Sequence, residues 1–156
     1  MKLKSRHLGE IDIDDNQIII FPEGIPGFED EKQFVILPLE QESPFYYLHA
    51  VTNPDLCLLL SIPFVFFPDY QMELPGSVLE NLKVEEDTEE LVVFVVLTVP
   101  EDFKKTTANL LAPVIINPAQ KCGLQFVPGT SSYTTRHPIF PDKPSPQKQA
   151  AAGQGL

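Results

Sequence analysis

Short apolar runs separated by turn residues dominate this sequence and recur about every ten residues. That spacing is typical of a sandwich or barrel. The predicted strands are 34–39, 45–51, 56–62, 70–74, 91–99, 112–116 and 123–127. The run 91–99 lacks alternation, so we expect a central strand that is buried on both faces. The pattern predicts a mainly β fold, a single small antiparallel β-barrel-like domain with one or two short helices.

The N-terminal third predicts a hairpin. Residues 6–13 alternate at Leu8, Ile11 and Ile13, residues 14–16 are Asp-Asp-Asn, and residues 18–21 are three isoleucines and a phenylalanine. A turn cluster between two such runs predicts that they pair with each other. Residues 22–27 hold two prolines and two glycines and are expected to be irregular.

One helix has a sequence signal, because Ser77 and Glu80 match a capping box. We expect a short helix beginning there, with Leu79 and Leu82 facing the core, and a further turn at 101–104. Residues 141–156 hold three prolines and few core-forming side chains. We therefore predict a folded domain over residues 1–140 and a disordered tail over 141–156.

The net charge of −11 is unevenly distributed. Between Glu10 and Phe103 there are 21 acidic and two basic residues, whereas both ends of the chain are basic. Such a field repels nucleic acid and attracts a basic partner. Solubility explains the same charge and is its more frequent cause. The densest acidic segment, 85–90, is either a solvated loop or an aid to encounter with a basic partner.

Several classes of protein are disfavoured by what the sequence lacks. No apolar run approaches the roughly 20 residues of a membrane span, and no signal peptide is recognisable. Cys57 and Cys122 are too few for a disulfide framework, which fits a cytoplasmic chain, although a single bridge between them stays open.

No catalytic constellation is recognisable, so we expect no enzyme and no cofactor. His7, His49 and His137 lack the spacing of metal ligands, and His49 is expected to be structural because it lies in a strand pattern. Cys57 lies among leucines, where a thiol is unreactive. The sequence contains no nucleophile elbow, phosphate-binding loop or zinc-binding signature.

One segment resembles a calcium loop, because Asp12, Asp14, Asn16 and Glu23 match four of its positions. Gln17 replaces the required glycine, and flanking helices are not predicted. Turn formation explains these residues better than calcium binding.

Aromatic residues are concentrated in residues 63–70, a segment that contains Pro63 and Pro68. A core strand followed by a turn explains the segment, and so does an exposed aromatic anchor for a partner. On a strand, Phe66 would face the core and Phe67 would face outward at a turn before Pro68. The candidate partner-binding residues are Phe64, Phe67, Asp69, Tyr70 and Glu73, together with Glu85, Glu86, Glu89 and Glu90 of the acidic segment.

Four blocks along the chain resemble the FliW family of flagellar assembly factors. They are FPEGIPGFED at 21–30, the aromatic segment at 64–70, TTANLLAPVIIN at 106–117 and SYTTRHP at 132–138. Each block is weak alone, but four in the same order are specific, and together they cover about residues 1–140.

The resemblance implies a cytoplasmic β-barrel-like protein, a monomer when free, with two protein partners. One is flagellin, and the other is CsrA, a small basic regulator that represses flagellin translation. Neither direct nucleic-acid binding nor membrane binding is implied, and no catalytic residue is carried over. A flagellin chaperone without a regulatory role is the alternative function, and a small β-barrel enzyme with an unrecognised site is a third.

Overall fold

Strands form where branched aliphatic and aromatic residues run together, because these side chains pack well on a pleated surface. The computed structural model describes residues 1–40, 42–84, 90–128 and 131–140. Its strands are β1 (Lys2–Ser5), β2 (Gly9–Asp12), β3 (Ile19–Ile20), β4 (Gln33–Pro38), β5 (Phe45–Ala50), β6 (Cys57–Ser61), β7 (Val92–Thr98), β8 (Thr107–Ala108), β9 (Val114–Asn117), β10 (Cys122–Gln125) and β11 (His137–Pro138). Its helices are α1 (Pro63–Phe66) and α2 (Gly76–Asn81). Among the described residues, neither helix approaches the length or apolar character needed to cross a membrane.

Seven strands close into a barrel, which confirms the predicted fold. The order is β7, β6, β5, β4, β3, β10, β9 and back to β7. Every neighbouring pair is antiparallel except β3 and β10, which run parallel. Beyond the barrel, β8 pairs with the end of β7, and β11 pairs with β8. Closure removes the exposed sheet edges that these strands would otherwise present.

Alternate residues of the barrel strands fill its interior, including Phe34, Leu48, Leu60 and Phe94. The opposite face of β7 is also covered, because Val95 packs with residues that follow α1 and with the C-terminal part of the domain. This confirms the prediction that β7 is buried on both faces. A strand covered on both sides shows no alternation, since all its positions are apolar.

The predicted N-terminal hairpin is wrong. The hairpin that forms joins β1 to β2, and β3 pairs instead with β4 and β10. Gly9 adopts a positive φ of 77° beside the turn between β1 and β2, a conformation that glycine adopts without strain. The residues predicted as the turn form a 3₁₀ turn at Asp15–Gln17, where the Asp14 amide donates to Gln17 Oε1 at 2.8 Å. The turn at Asp15–Gln17 agrees with the turn explanation for Asp12, Asp14 and Asn16.

Two local predictions between β6 and β7 are also wrong. Residues 70–74 form no strand but an irregular connection between α1 and α2. Ser77 does not cap α2, since the helix begins at Gly76 and Pro75 is the N-cap. Leu82 is fully buried as expected, whereas Leu79 is only partly buried. The carbonyl oxygen of Leu82 accepts hydrogen bonds from Asn117 Nδ2 at 2.7 Å and Cys122 Sγ at 3.2 Å, which attach the end of α2 to the barrel.

The turn expected at 101–104 is a 3₁₀ turn at Phe103–Lys105. The predicted tail at 141–156 lies outside the described residues, as do Glu85, Glu86 and Glu89 of the acidic segment.

Candidate partner-binding surface

The aromatic segment begins with a helical turn, α1, and not with a strand. Pro63 occupies the first helical position, where its fixed φ is favourable and its missing N–H is not needed. The turn closes with a hydrogen bond of 2.8 Å from the Phe67 amide to the Pro63 carbonyl oxygen. Helical geometry directs Phe64 and Val65 outward, with exposed fractions of 45% and 57%.

The prediction that Phe66 and Phe67 lie on opposite faces is therefore wrong. Both side chains are partly buried and pack against the apolar cluster beside β7. Strand alternation places neighbouring residues on opposite sides, but successive residues of a helical turn are only about 100° apart. Phe64 is consequently the most exposed phenylalanine of this segment.

Four aromatic contacts connect residues of this segment and of the C-terminal part of the domain, and two of the four run between the two parts. Phe64 lies 6.1 Å from Tyr70, and Tyr70 lies 4.7 Å from Tyr133, measured between ring centroids. His137 contacts both Tyr133, at 5.9 Å, and Phe67, at 6.0 Å. Two blocks that are more than sixty residues apart in sequence thus form one aromatic array.

Tyr70 was predicted as a partner-binding residue, but its side chain is only 4% exposed. Its hydroxyl donates to the Leu110 carbonyl oxygen at 2.7 Å, and the Tyr133 hydroxyl accepts from the Gln71 amide at 3.1 Å. Burial, and secondarily Tyr133, raises the pKa of Tyr70 to about 12. Tyr70 therefore supports the surface and contributes little exposed area of its own.

His137 is held in its neutral form. Its Nε2 atom accepts a hydrogen bond of 2.9 Å from the Thr134 amide, which requires an unprotonated nitrogen. Burial also lowers the pKa of His137, which favours the same neutral form. The ring therefore acts here as an aromatic spacer between Phe67 and Tyr133.

A groove of about 860 Å³ opens over Tyr70 and Tyr133, and we call it the tyrosine groove. Its lining residues come from segments 70–78, 110–113, 126–128 and 131–133. The apolar part includes Met72, Val78 and Phe126. Glu73, one of the predicted partner-binding residues, is exposed and lines this groove. An aromatic groove of this size is large enough to receive a peptide segment or a small ligand.

The other acidic candidates are only partly described. Asp69 and Glu90 are exposed, and Asp69 follows α1 directly. The structure therefore brings Phe64, Tyr70 and Glu73 together, since Phe64 contacts Tyr70, and Tyr70 and Glu73 both line the groove. Of the four glutamates predicted in the acidic segment, Glu90 is the one within the described residues.

Three residues of this region were not predicted. Tyr133 and His137 belong to the array, and their only signal was membership of a block that resembles a known family. Phe103 is 62% exposed, and its ring lies 6.2 Å from that of Phe140. A single phenylalanine in a turn gives no periodic signal, so sequence patterning could not identify this exposed pair.

The described residues offer no grouping of three or more histidine, cysteine, aspartate or glutamate side chains placed to hold a metal ion. Cys57 and Cys122 are both thiols, and burial raises the pKa of Cys57. His49 is fully buried, with Nδ1 within 2.7 Å of the Ala50 carbonyl oxygen. These residues therefore have structural surroundings, as expected for His49 and Cys57.

We expect the unfolding free energy to fall as the pH rises from about 10 towards 12 because of Tyr70. The pKa of tyrosine is near 10 in an unfolded chain, and that of Tyr70 is about 12 in the fold. The contribution of the neutral side chain is complete below pH 10 and is lost as the pH approaches the folded value. A tyrosinate absorbance titration should contain a late step that Tyr70→Phe lacks. A late step that persists in this variant would contradict the assignment.

Residues 2–139 match the family model described as FliW protein. A flagellar assembly factor FliW from Syntrophomonas wolfei is 48% identical over 99% of both chains, and one from Bacillus subtilis is 45% identical over 89% of this chain and 96% of that protein. A crystal structure of the flagellar assembly factor FliW superimposes with a TM-score of 0.85 at 40% identity, covering 92% of this chain and 99% of the other. The family match over nearly the whole described domain, the barrel and the four sequence blocks agree, and the chain belongs to the FliW family.

Proposed function

We propose that this protein is a non-enzymatic, cytoplasmic regulator of flagellar assembly that sequesters a CsrA-type RNA-binding regulator and also binds flagellin. Membership of the FliW family supports a role in flagellar assembly, because relatives at 48% and 45% identity are named flagellar assembly factors. The free protein is a monomer in this proposal and becomes part of a complex with one partner or the other.

The observation that carries the proposal is the tyrosine groove together with exposed Phe64. Exposed aromatic side chains beside an apolar groove are typical of the residues that dominate binding energy at protein interfaces. Phe64 supplies exposed apolar area, and the buried Tyr70 and partly buried Phe67 support the surface. Asp69 and Glu73 are exposed and make the surroundings acidic.

Charge supports a basic partner for this surface. The chain from Glu10 to Phe103 carries a net charge of −19, and Glu90 is exposed near the end of that stretch. A basic RNA-binding protein would be attracted by this field, whereas RNA phosphates would be repelled. In this proposal the acidic segment with Glu85, Glu86, Glu89 and Glu90 accelerates encounter with the regulator, and the groove provides the lasting contact.

The test is to mix the purified protein with a purified CsrA-type regulator and with flagellin, and to measure each binding equilibrium. We expect both to bind, and we expect the protein to release RNA from the regulator. The association rate with the regulator should fall as salt rises, since charge attraction is screened over about 8 Å at physiological ionic strength. An association rate that does not respond to salt would leave the acidic residues with a role in solubility only.

The pattern of binding separates the alternatives. Binding of flagellin without the regulator would favour a flagellin chaperone with no regulatory role. Absence of both interactions would contradict the proposal and leave the third alternative, an enzyme with an unrecognised site. A pull-down from a flagellated host then tests whether the same two partners are bound in the cell.

A further inference from the structure

One wall of the tyrosine groove is an extended segment that has no strand partner. Residues 71–74 lead into α2 without a turn, a bend or a helical residue. Their exposure alternates, because Gln71 and Glu73 are exposed whereas the residue after each of them is partly buried. In extended backbone successive side chains point to opposite sides, which produces a period of two. The segment therefore has the side-chain pattern of a strand, although it pairs with no other part of the described chain.

The backbone groups of this wall are available to a further strand. The amides and carbonyl oxygens of Met72, Glu73 and Leu74 make no hydrogen bond to any described residue. The Gln71 amide donates to the Tyr133 hydroxyl at 3.1 Å, so it points towards the Tyr133 side of the groove. In an extended chain the N–H and C=O groups of every second residue point the same way, so those of Glu73 also face the groove. An unpaired extended edge of this kind is a template for pairing with another chain.

The side chains around this edge specify the chemistry of the strand that it would bind. Among the described residues that line the groove, Glu73 is the one charged side chain, while Met72 and Phe126 are apolar. The stretch from Glu10 to Phe103, which contains the edge, holds 21 acidic and two basic residues. A basic side chain opposite Glu73 would therefore be attracted and an acidic one repelled. Apolar side chains at alternate positions of the strand would cover the apolar lining.

We propose that the tyrosine groove binds an extended segment of a partner protein as an added strand along residues 71–74, with a lysine or arginine of that segment beside Glu73. The backbone of Glu73 supplies hydrogen bonds that any sequence can make, while the groove and the carboxylate select apolar and basic side chains. This binding mode rests on the proposed function only for the identity of the partner, because the edge and its chemistry belong to this chain.

The test uses the full chain and a synthetic peptide in place of a partner. The probe is acetyl-Thr-Val-Lys-Val-Thr-amide, whose β-branched residues favour an extended chain and flank a single lysine. We expect its titration to shift the amide NMR signals of Glu73 and Val127, while those of the β1–β2 hairpin stay unchanged. Hydrogen exchange of the Glu73 amide should slow when the peptide is bound, because that amide faces the groove. Unchanged exchange at Glu73 would overturn the proposal.

N-methylation of the peptide separates strand pairing from ordinary apolar contact. One variant is methylated on the lysine nitrogen and another on both valine nitrogens, so each loses hydrogen-bond donors on one edge only. A single edge of the bound peptide faces residues 71–74, so we expect one variant to bind about tenfold more weakly and the other to keep its affinity. Equal affinities of the two methylated peptides would contradict binding as a strand.

A charge exchange tests the position of the basic side chain. A peptide with glutamate in place of lysine should bind the unsubstituted chain about two- to fivefold more weakly, and Glu73→Lys should reverse that order. Glu80→Lys is the matched control, because Glu80 is exposed on α2 and is not among the described residues that line the groove. Equal effects of Glu73→Lys and Glu80→Lys would rule out a basic residue placed beside Glu73.

These measurements separate the binding mode from the proposed function. Peptide binding at the groove, with no binding of either proposed partner, would support the strand site and overturn the proposed function. Binding of both partners with no peptide binding would do the reverse. Glu73 signals that change with protein concentration alone would assign the edge to a second copy of this chain, which would also overturn the proposal.

Discussion

Replacing Gly24 with alanine is expected to lower the unfolding free energy by about 2–5 kcal/mol. Gly24 adopts a φ of +65°, where an L-residue loses roughly 1–2 kcal/mol. A Cβ atom would also lie 2.6 Å from the Phe28 carbonyl oxygen and 2.7 Å from two backbone atoms of Glu29. Backbone atoms cannot rotate away as a side chain can, so relieving the overlap should cost about 1–3 kcal/mol more.

Gly27→Ala provides the control in the same loop. Gly27 has a φ of +88°, but a Cβ atom there would meet nothing within 4 Å. The variant should therefore lose only the conformational part, about 1–2 kcal/mol. Denaturant unfolding of both variants measures the difference directly. Equal losses would mean that the loop moves to accommodate Cβ at Gly24 and that the close backbone approach is unimportant.

The strands of the barrel were predictable because each run carries its own signal. The predictions for β4, β5, β6 and β7 match the observed strands to within one residue at each end. Burial on one face gives alternation, and burial on both faces, as in β7, gives a continuous apolar run. Both patterns depend only on residues within the strand, so one sequence is enough to recognise them.

Pairing and short helices were less predictable. The 6–13 and 18–21 segments looked like partners because a turn cluster separates them, yet β3 is required to close the barrel between β4 and β10. That requirement depends on the whole sheet, so it cannot be recognised in the hydrophobic pattern of the segment itself. At α1, Pro63 is compatible with both a strand end and a first helical turn, and four residues are too few to show a helical period.

The candidate site was only partly predictable for the same reason. Phe64 and Glu73 lie in a segment whose aromatic content is visible in the sequence. Tyr133 and His137 come into contact with this segment only when the chain folds. The pairing of β11 with β8 places the C-terminal part of the domain beside the residues that follow α1. Patterning within one segment cannot specify such contacts, so the groove could be recognised only in the structure.

Replacing Phe64 with alanine is expected to weaken binding of at least one proposed partner by about thirtyfold while leaving the domain folded. Phe64 is 45% exposed beside the tyrosine groove, so truncation removes apolar area from the surface and little from the core. A central aromatic contact at an interface contributes about 2 kcal/mol or more, which corresponds to that loss of affinity. The unfolding free energy should change by less than about 1 kcal/mol.

Phe66→Ala should behave in the opposite way. Its ring packs against Phe45 at 5.8 Å and Phe140 at 6.3 Å, and its side chain is partly buried beside β7. Removing it leaves a cavity, and we expect a loss of about 2 kcal/mol or more in the unfolding free energy. Any loss of affinity in this variant would follow from its lower stability, so the two measurements must be made together.

Phe28→Ala is the matched control for Phe64→Ala. Phe28 is 44% exposed, nearly the same as Phe64, but it lies in the loop between β3 and β4, whereas Phe64 contacts Tyr70, which lines the groove. Isothermal titration of the three variants with the CsrA-type regulator and with flagellin should show a loss specific to Phe64→Ala. Because Phe64 and Phe28 are the same residue type with nearly equal exposure, both substitutions remove similar apolar area. A difference in affinity between the two variants therefore depends on where the side chain lies. Normal affinity of Phe64→Ala for both partners would exclude this surface, and a loss in Phe28→Ala instead would assign binding to the loop before β4.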